Sequence, residues 1–326
     1  MNLLSLTGSP AVRTSSLGAA VSRVELADGR VVVAKRHDHP TAVRAEVAGL
    51  RWLAEPAAVP LPAVLGHDDE WLVLEFVPSG PPASAPGPSG FASGPSGSAS
   101  GPAASVSGPA ASASGPAASV SGPAASVSGP AGSASAFGRG LAALHAAGAS
   151  AFGAPPPDGP ADAWIGLAPM HNSPGDAWPS WYATHRVLPY LRAAVDRGTL
   201  GSTDARAVES VCVRIGELAG PAEPPARLHG DLWSGNVRWA ADGRAWLIDP
   251  AAHGGHRETD LAMLQLFGCP ELDRIVAAYD EAAPLADGWR GRIGLHQLFP
   301  LLVHAVLFGG GYGSQAGTAA RAALRA

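Results

Sequence analysis

The sequence predicts an α+β fold in two lobes, a small β-rich N-lobe and a larger α-rich C-lobe, with a disordered Gly/Pro/Ala/Ser repeat insertion between them. Three observations carry this. Residues 1–78 combine β-branched runs with one amphipathic stretch. Residues 79–134 repeat Gly-Pro with a period of seven. Residues 135–326 place apolar side chains mostly at helical spacing. With 326 residues and 46% hydrophobic content, the chain can bury a sizeable core.

The elements follow in order. Residues 12–35 read as a hairpin, Val21–Leu26 and Arg30–Lys35 around an Ala27-Asp28-Gly29 turn. Val43, Val47, Leu50 and Leu53 recur at helical spacing, so a helix carrying Glu46 comes next. After the Pro60-Leu61-Pro62 break, 64–67 leads into a strong strand at 71–77. Gly94, Gly101, Gly108, Gly115, Gly122 and Gly129 are each followed by Pro. A heptad period supports a coiled coil only when apolar residues occupy it, and this tract cannot bury enough surface to offset its ordering entropy. A flexible linker is expected there; a repeat-built binding fold is the alternative. Helices are then expected at 137–145, 178–191, 205–218, 260–266, 272–279 and 290–308, with a Pro-rich loop before Trp164-Ile165-Gly166. His145, His296 and His304 lie in apolar helical surroundings and read as core or capping residues.

The net charge of −5 gives no electrostatic case for nucleic acid or an anionic membrane. Cys212 and Cys269 are the only cysteines and lack metal-site spacing, which fits a reducing compartment. Residues 1–16 lack the pattern of a signal peptide, and the apolar stretch 298–308 is too short to span a bilayer. A cytoplasmic protein is the expectation.

The chemistry lies in His229-Gly230-Asp231-Leu232-Trp233-Ser234-Gly235-Asn236, followed by Ile248-Asp249-Pro250. One carboxylate, an amide five residues later and a second carboxylate beyond an apolar strand form the set that phosphoryl transfer from ATP requires. The first Asp orients the attacking hydroxyl, while the Asn and second Asp hold Mg²⁺. A plain turn beside a strand would account for either motif alone, but not for both in register. Lys35 is the only lysine in the chain and ends the β-branched run Val31-Val32-Val33-Ala34. That is the setting of a lysine that bridges nucleotide phosphates to a helix glutamate, here Glu46 rather than Glu55 at the helix end. In a protein kinase-like arrangement Glu75, Phe76 and Val77 would be the hinge that meets an adenine edge.

These residues, with Gly255-His256-Arg257-Glu258-Thr259-Asp260-Leu261-Ala262-Met263 and Leu266-Phe267-Gly268, give the chain a resemblance to the fructosamine kinase (ketosamine-3-kinase) family. That family lies within the aminoglycoside phosphotransferase and choline kinase-like superfamily. Trp164, Asn172, Trp178, Trp181, Tyr182, Arg186, Gln297 and the 307–312 segment extend the match to nearly everything outside the insertion. The resemblance implies a bilobal kinase-like fold and ATP- and Mg²⁺-dependent phosphorylation of the 3-hydroxyl of ketoamines, free or protein-bound, in deglycation repair. By position, Asp231 is the implied base, Asn236 and Asp249 the metal ligands, and Lys35 with Glu46 the phosphate clamp. Trp233 would stack on the sugar or pack between loop and lobe. His256, Arg257 and Glu258 would shape a sugar pocket, or Arg257 would brace the loop by pairing with Asp260 or Glu258. Asp260 would support the catalytic loop. The chain departs from the family in its nucleotide-covering stretch, where residues 13–22 offer only Gly18, and at Met170, His253 and Gly254. A kinase for another small hydroxylated amine, of aminoglycoside or choline type, and a pseudokinase-like binding module are the competing expectations.

Overall fold

The structure is a computed structural model that describes residues 3–80 and 131–326. Most of the repeat tract, and the disorder expected of it, lies outside the described residues.

A short helix, α1 (Leu3–Thr7), precedes strands β1 (Ala11–Ser16), β2 (Val21–Leu26) and β3 (Val31–Arg36). Helix α2 (Pro40–Ala54) follows, then β4 (Val64–His67) and β5 (Trp71–Glu75). The strands form one antiparallel sheet in the order β1-β2-β3-β5-β4. The expected hairpin is therefore two strands of a three-stranded meander, and Gly29 supplies the positive φ (+86°) of its second turn. Alternation along β3 divides its residues between faces. Val32 and Ala34 join Val24, Leu26 and Leu3 in one cluster, while Val33 and Lys35 face the other way. Against that second face α2 buries Val43, Val47 and Leu50 on Leu72 and Leu74. Strand pairing ends at Glu75 rather than Val77, because the chain then crosses to the second lobe and Gly80 N donates to Trp239 O at 3.0 Å.

Helix α3 (Ala131–Ala146) begins four residues inside the expected insertion, 131–134. After the expected Pro-rich loop comes a hairpin of β6 (Asp162–Ile165) and β7 (Ala168–His171), where no strand was expected. Helix α4 (Trp178–Tyr182), a π-helical turn (Ala183–Val187) and α5 (Leu188–Asp196) run on as one rod, followed by α6 (Ser202–Leu218). Four three-residue strands come next: β8 (Ala226–Leu228), β9 (Val237–Trp239), β10 (Ala245–Leu247) and β11 (His253–Gly255). The pairs are β9 with β10 and β8 with β11. Helices α7 (Glu258–Leu266), α8 (Leu272–Ala282), α9 (Trp289–His296), α10 (Leu298–Phe308) and α11 (Tyr312–Ala323) complete the lobe.

Trp52 and Leu53 at the end of α2 share a core with Phe137, Leu141 and Leu144 of α3, so apolar packing is continuous between the lobes. The helical run Trp289–Phe308, 20 residues long, is apolar enough to cross a membrane by length and composition. Here it buries Leu298, Phe299, Leu301 and Leu302 in the C-lobe core.

Candidate active site

Strand β8 delivers His229, Gly230 and Asp231 to the cleft. Pairing of Leu228 with His253 sets that loop beside the segment that follows Asp249. Gly230 has φ +81°, and a Cβ there would collide with the Ala251 carbonyl, so only glycine fits. The loop hangs on Asp260 at the start of α7. Its Oδ2 accepts the His229 N–H at 2.8 Å and its Oδ1 accepts the Gly230 N–H at 3.0 Å. His145 Nε2 lies 3.2 Å from Asp260 Oδ2, and His145 Nδ1 lies 2.8 Å from the Tyr279 hydroxyl. Burial works to raise the Asp260 pKa, but the His145 bond and charge and the loop N–H groups outweigh it and hold it below the usual carboxylate value.

Asn236 reaches Asp231 through the 3-10 turn Ser234–Asn236. Its Nδ2 donates to Asp231 O at 2.8 Å and Asp231 Oδ2 at 3.0 Å, which leaves the amide oxygen for a cation. Asp249 sits in the left-handed region at φ +53°. Lys35 Nζ lies 3.0 and 2.8 Å from the Glu46 oxygens and 3.1 Å from Asp249 Oδ1. His37 Nε2 adds a second positive-capable group 3.1 Å from Glu46 Oε2. Glu46 falls to about 2: burial pushes it up, and the charges and bonds of Lys35 and His37 overcome that. Lys35 is held above its usual value because Asp249 and Glu46 outweigh its burial. Asp231 moves the other way, up to about 7, first through burial and then through the charge of Asp249, with the Asn236 bond only partly opposing. The Asp249 carboxylate and the Asn236 amide oxygen are hard oxygen donors, the chemistry that suits Mg²⁺.

At the expected hinge, Val77 O accepts from Arg238 Nε at 2.6 Å, and the guanidinium groups of Arg23 and Arg238 lie 5.3 and 5.9 Å from the Phe76 ring centre. Glu75 accepts the Ala63 N–H at 3.2 Å through its carboxylate. The chain reversal after β1 is self-contained: the N–H groups of Leu17 and Gly18 both donate to Val21 O, at 2.8 and 3.2 Å.

The half-buried Trp233 meets Phe267 edge-on at 6.1 Å. Phe267, Phe308 and Tyr312 surround His304 at 4.8, 5.5 and 5.1 Å. This aromatic group was not legible as one site, because residues 233, 267, 304, 308 and 312 come from four segments. The proposed sugar pocket of His256, Arg257 and Glu258 needs correction. His256 and Glu258 are 3% and 2% exposed. Both Glu258 oxygens accept from Arg292, at 2.9 and 2.6 Å. Arg257 pairs with Glu223 at 2.7 and 2.8 Å, not with Asp260 or Glu258, and donates to Ala283 O and Pro284 O at 2.9 and 2.7 Å. The three brace the lobe from inside. His256, Glu258 and His296 approach one another closely enough to chelate a metal, but Arg292 already neutralises the only carboxylate among them.

The fructosamine kinase family model matches residues 125–326. A protein of Synechocystis named a probable ketoamine kinase is 39% identical over 191 residues, 58% of this chain and 61% of its own length. One of the same name from Thermus thermophilus is 32% identical over 298 residues, 90% of this chain and 87% of its own. The matched stretch thus spans less than two thirds of the first relative and most of the second. A crystal structure from Thermobifida fusca, provisionally named a fructosamine-3-kinase, superimposes with a TM-score of 0.79 at 44% identity, covering 99% of this chain and 97% of that one. The choline kinase LicA of Streptococcus pneumoniae shares the fold alone, with a TM-score of 0.57 at 12% identity and coverage of 100% and 97%.

Proposed function

The chain belongs to the fructosamine kinase family, and from that premise we propose that it is an ATP-dependent kinase of ketoamines, acting on the sugar 3-hydroxyl in deglycation repair. The observation that carries this reading is the convergence of Lys35, Glu46 and Asp249 with Asp231 and Asn236, Asn236 Nδ2 lying 3.0 Å from Asp231 Oδ2 and 3.5 Å from Asp249 O. In this reading residues 1–78 bind nucleotide and residues 135–326 supply the catalytic and acceptor groups. The two unpaired cysteines suit a cytoplasmic setting.

Asp231 accepts the proton of the acceptor hydroxyl as its oxygen bonds to the γ-phosphorus and the bond from that phosphorus to the β,γ-bridging oxygen breaks, releasing ADP. Little covalent work falls to the protein in such a transfer, so orientation dominates. Asn236 holds the Asp231 carboxylate, and Asp260 fixes the loop behind it. Glu46 steers Lys35 toward the phosphates. Mg²⁺ bound by Asp249 and Asn236 would neutralise phosphate charge. Trp233 and the aromatic residues around His304 offer a face for a sugar and the amine it carries.

The experiment is ATP consumption by purified protein with Mg²⁺, with and without a ribulosamine such as ribuloselysine. A phosphorylated product that disappears in Asp231→Asn supports the reading. Turnover only with choline or an aminoglycoside would replace it with the sister chemistry. Absence of nucleotide binding would favour a binding module.

A further inference from the structure

We infer that the C-lobe interior holds a site for one monatomic anion of the chloride class, bound by Arg186 Nε and Trp178 Nε1. The site goes beyond the kinase reading and does not depend on it.

Arg186 is 1% exposed, and among the described residues no carboxylate pairs with it. Its other donors meet neutral groups only. Nη1 donates to His171 O at 2.9 Å and His185 O at 3.3 Å, and Nη2 donates to Asn172 Oδ1 at 2.6 Å. Its planar face lies on Trp181 at 4.6 Å and Phe299 at 5.6 Å. The π-helical turn Ala183–Val187 carries it inward, and such turns place side chains that a regular helix would direct elsewhere. Burial pulls its pKa down to about 10, which marks a charge separated from water without a compensating anion.

The Arg186 Nε–H finds no acceptor in the protein, and neither does the indole Nε1–H of Trp178. Both side chains line one narrow pocket of about 10 Å³, together with Leu228, His253 and Gly255. Buried donors are satisfied in nearly all proteins, and a buried charge is paired. The volume admits one water-sized body, which excludes phosphate, sulfate and carboxylates. A water would satisfy the two donors but leave the guanidinium unneutralised; a monatomic anion does both. His253 Nδ1 lies 2.9 Å from Ala251 O and burial keeps the ring neutral, so His253 adds no second charge. Trp181 Nε1 donates to Ser173 O at 2.7 Å, and His256 Nδ1 accepts the Glu258 N–H at 3.2 Å, its ring kept neutral by burial. Tyr182 Oη donates toward Leu295 O and His296 O at 3.1 and 3.0 Å, and Thr259 Oγ1 lies 2.9 Å from His296 Nδ1. Leu228 and His253 are register partners in the two strands under the catalytic loop, so the anion would brace that pair from below.

The test uses bromide as the probe. Crystals grown in sodium bromide should show an anomalous peak in the cavity, within hydrogen-bonding distance of Arg186 Nε and Trp178 Nε1. Melting in sodium chloride against sodium gluconate at equal ionic strength should give a saturable rise of about 2–4 °C. Trp178→Phe keeps the ring stack and removes the donor, so it should lose most of that rise. Arg186→Met should lose all of it, and Trp178→Phe decides the matter should Arg186→Met fail to fold. A cavity without anomalous signal, whether it holds water or nothing, overturns the proposal. So does a chloride-dependent rise that Trp178→Phe leaves unchanged.

Discussion

At the scale of single residues, Asp231 is in tension with its own fold. Its pKa of about 7 exceeds that of an unfolded aspartate, about 3.9. A raised folded value means the native state holds its proton longer than the unfolded chain. Its stabilising contribution is therefore fully present below about pH 4 and is lost as pH rises through about 7. Asp231→Asn removes that loss while an amide oxygen can still accept from Asn236. The variant should lose about 10²–10⁴-fold in turnover yet gain about 2 kcal/mol of stability at pH 8, read by thermal melts at pH 5 and pH 8. A gain equal at both pH values would show that the charge of Asp231 is not its cause. The same geometry predicts an acid limb in kcat/KM, since only the deprotonated carboxylate accepts a proton. Asp249 is the principal charge raising Asp231, so Mg²⁺ bound there should lower the limb's midpoint. Rate profiles at low and saturating Mg²⁺ check this, and a midpoint independent of Mg²⁺ would separate the two carboxylates.

At the scale of elements, what the sequence disclosed and what it concealed divide by range. The grouping of Asp231 with Asn236 was legible because one loop carries both at fixed spacing, and the strand–helix pair bearing Lys35 and Glu46 was legible from alternation and helical period. The β8–β11 pair was not: His253, Gly254 and Gly255 have no alternation to read, and their partner lies 25 residues away in register at Leu228. Helix α11 escaped because its small residues show no apolar stripe. Its glycines are there for close approach instead, a Cβ at Gly313 meeting the Thr199 backbone and one at Gly317 the Asp204 carboxylate. Arg238 gave no local sign that it would engage the hinge at Val77. The N-terminus of α7 combines both cases, since Asp260 was legible as a loop support while Glu258 was misplaced into a pocket. Two oxygens of Asp260 serve three donors, so Asp260→Asn turns an N–H toward at least one of them. It should cost about 2–4 kcal/mol of stability and about 10²-fold in turnover, with the KM for ATP little changed. A rise in that KM matching the fall in turnover would mean that Asp260 acts on the nucleotide rather than on the loop.

At the scale of the whole molecule, both ends of the stretch 81–130 are tied to the same β9–β10 hairpin. On one side Gly80 N donates to Trp239 O at 3.0 Å and Ala241 N to Pro78 O at 2.9 Å. On the other, the Ser133 hydroxyl bonds to Gly243 O. The chain therefore leaves and re-enters at one edge of the C-lobe, and the hairpin that anchors it also carries Arg238 to the hinge. Folding must close whatever length lies between those ends, at an entropic cost that grows with the logarithm of the length. Replacing the 50 residues 81–130 with a Gly/Ser linker of about eight should thus stabilise the protein by about 1.6 kcal/mol, as (3/2)RT ln(50/8). That corresponds to a few degrees in the melting midpoint, with kcat and KM within twofold of the full chain. Helix α3 must be left whole from Ala131, because it packs on α8 and carries His145 to Asp260. A loss of stability on this replacement would show that the tract packs on the lobes. Unchanged stability with a raised KM for a glycated protein, but not for a small ketoamine, would instead give the tract a part in reaching large substrates.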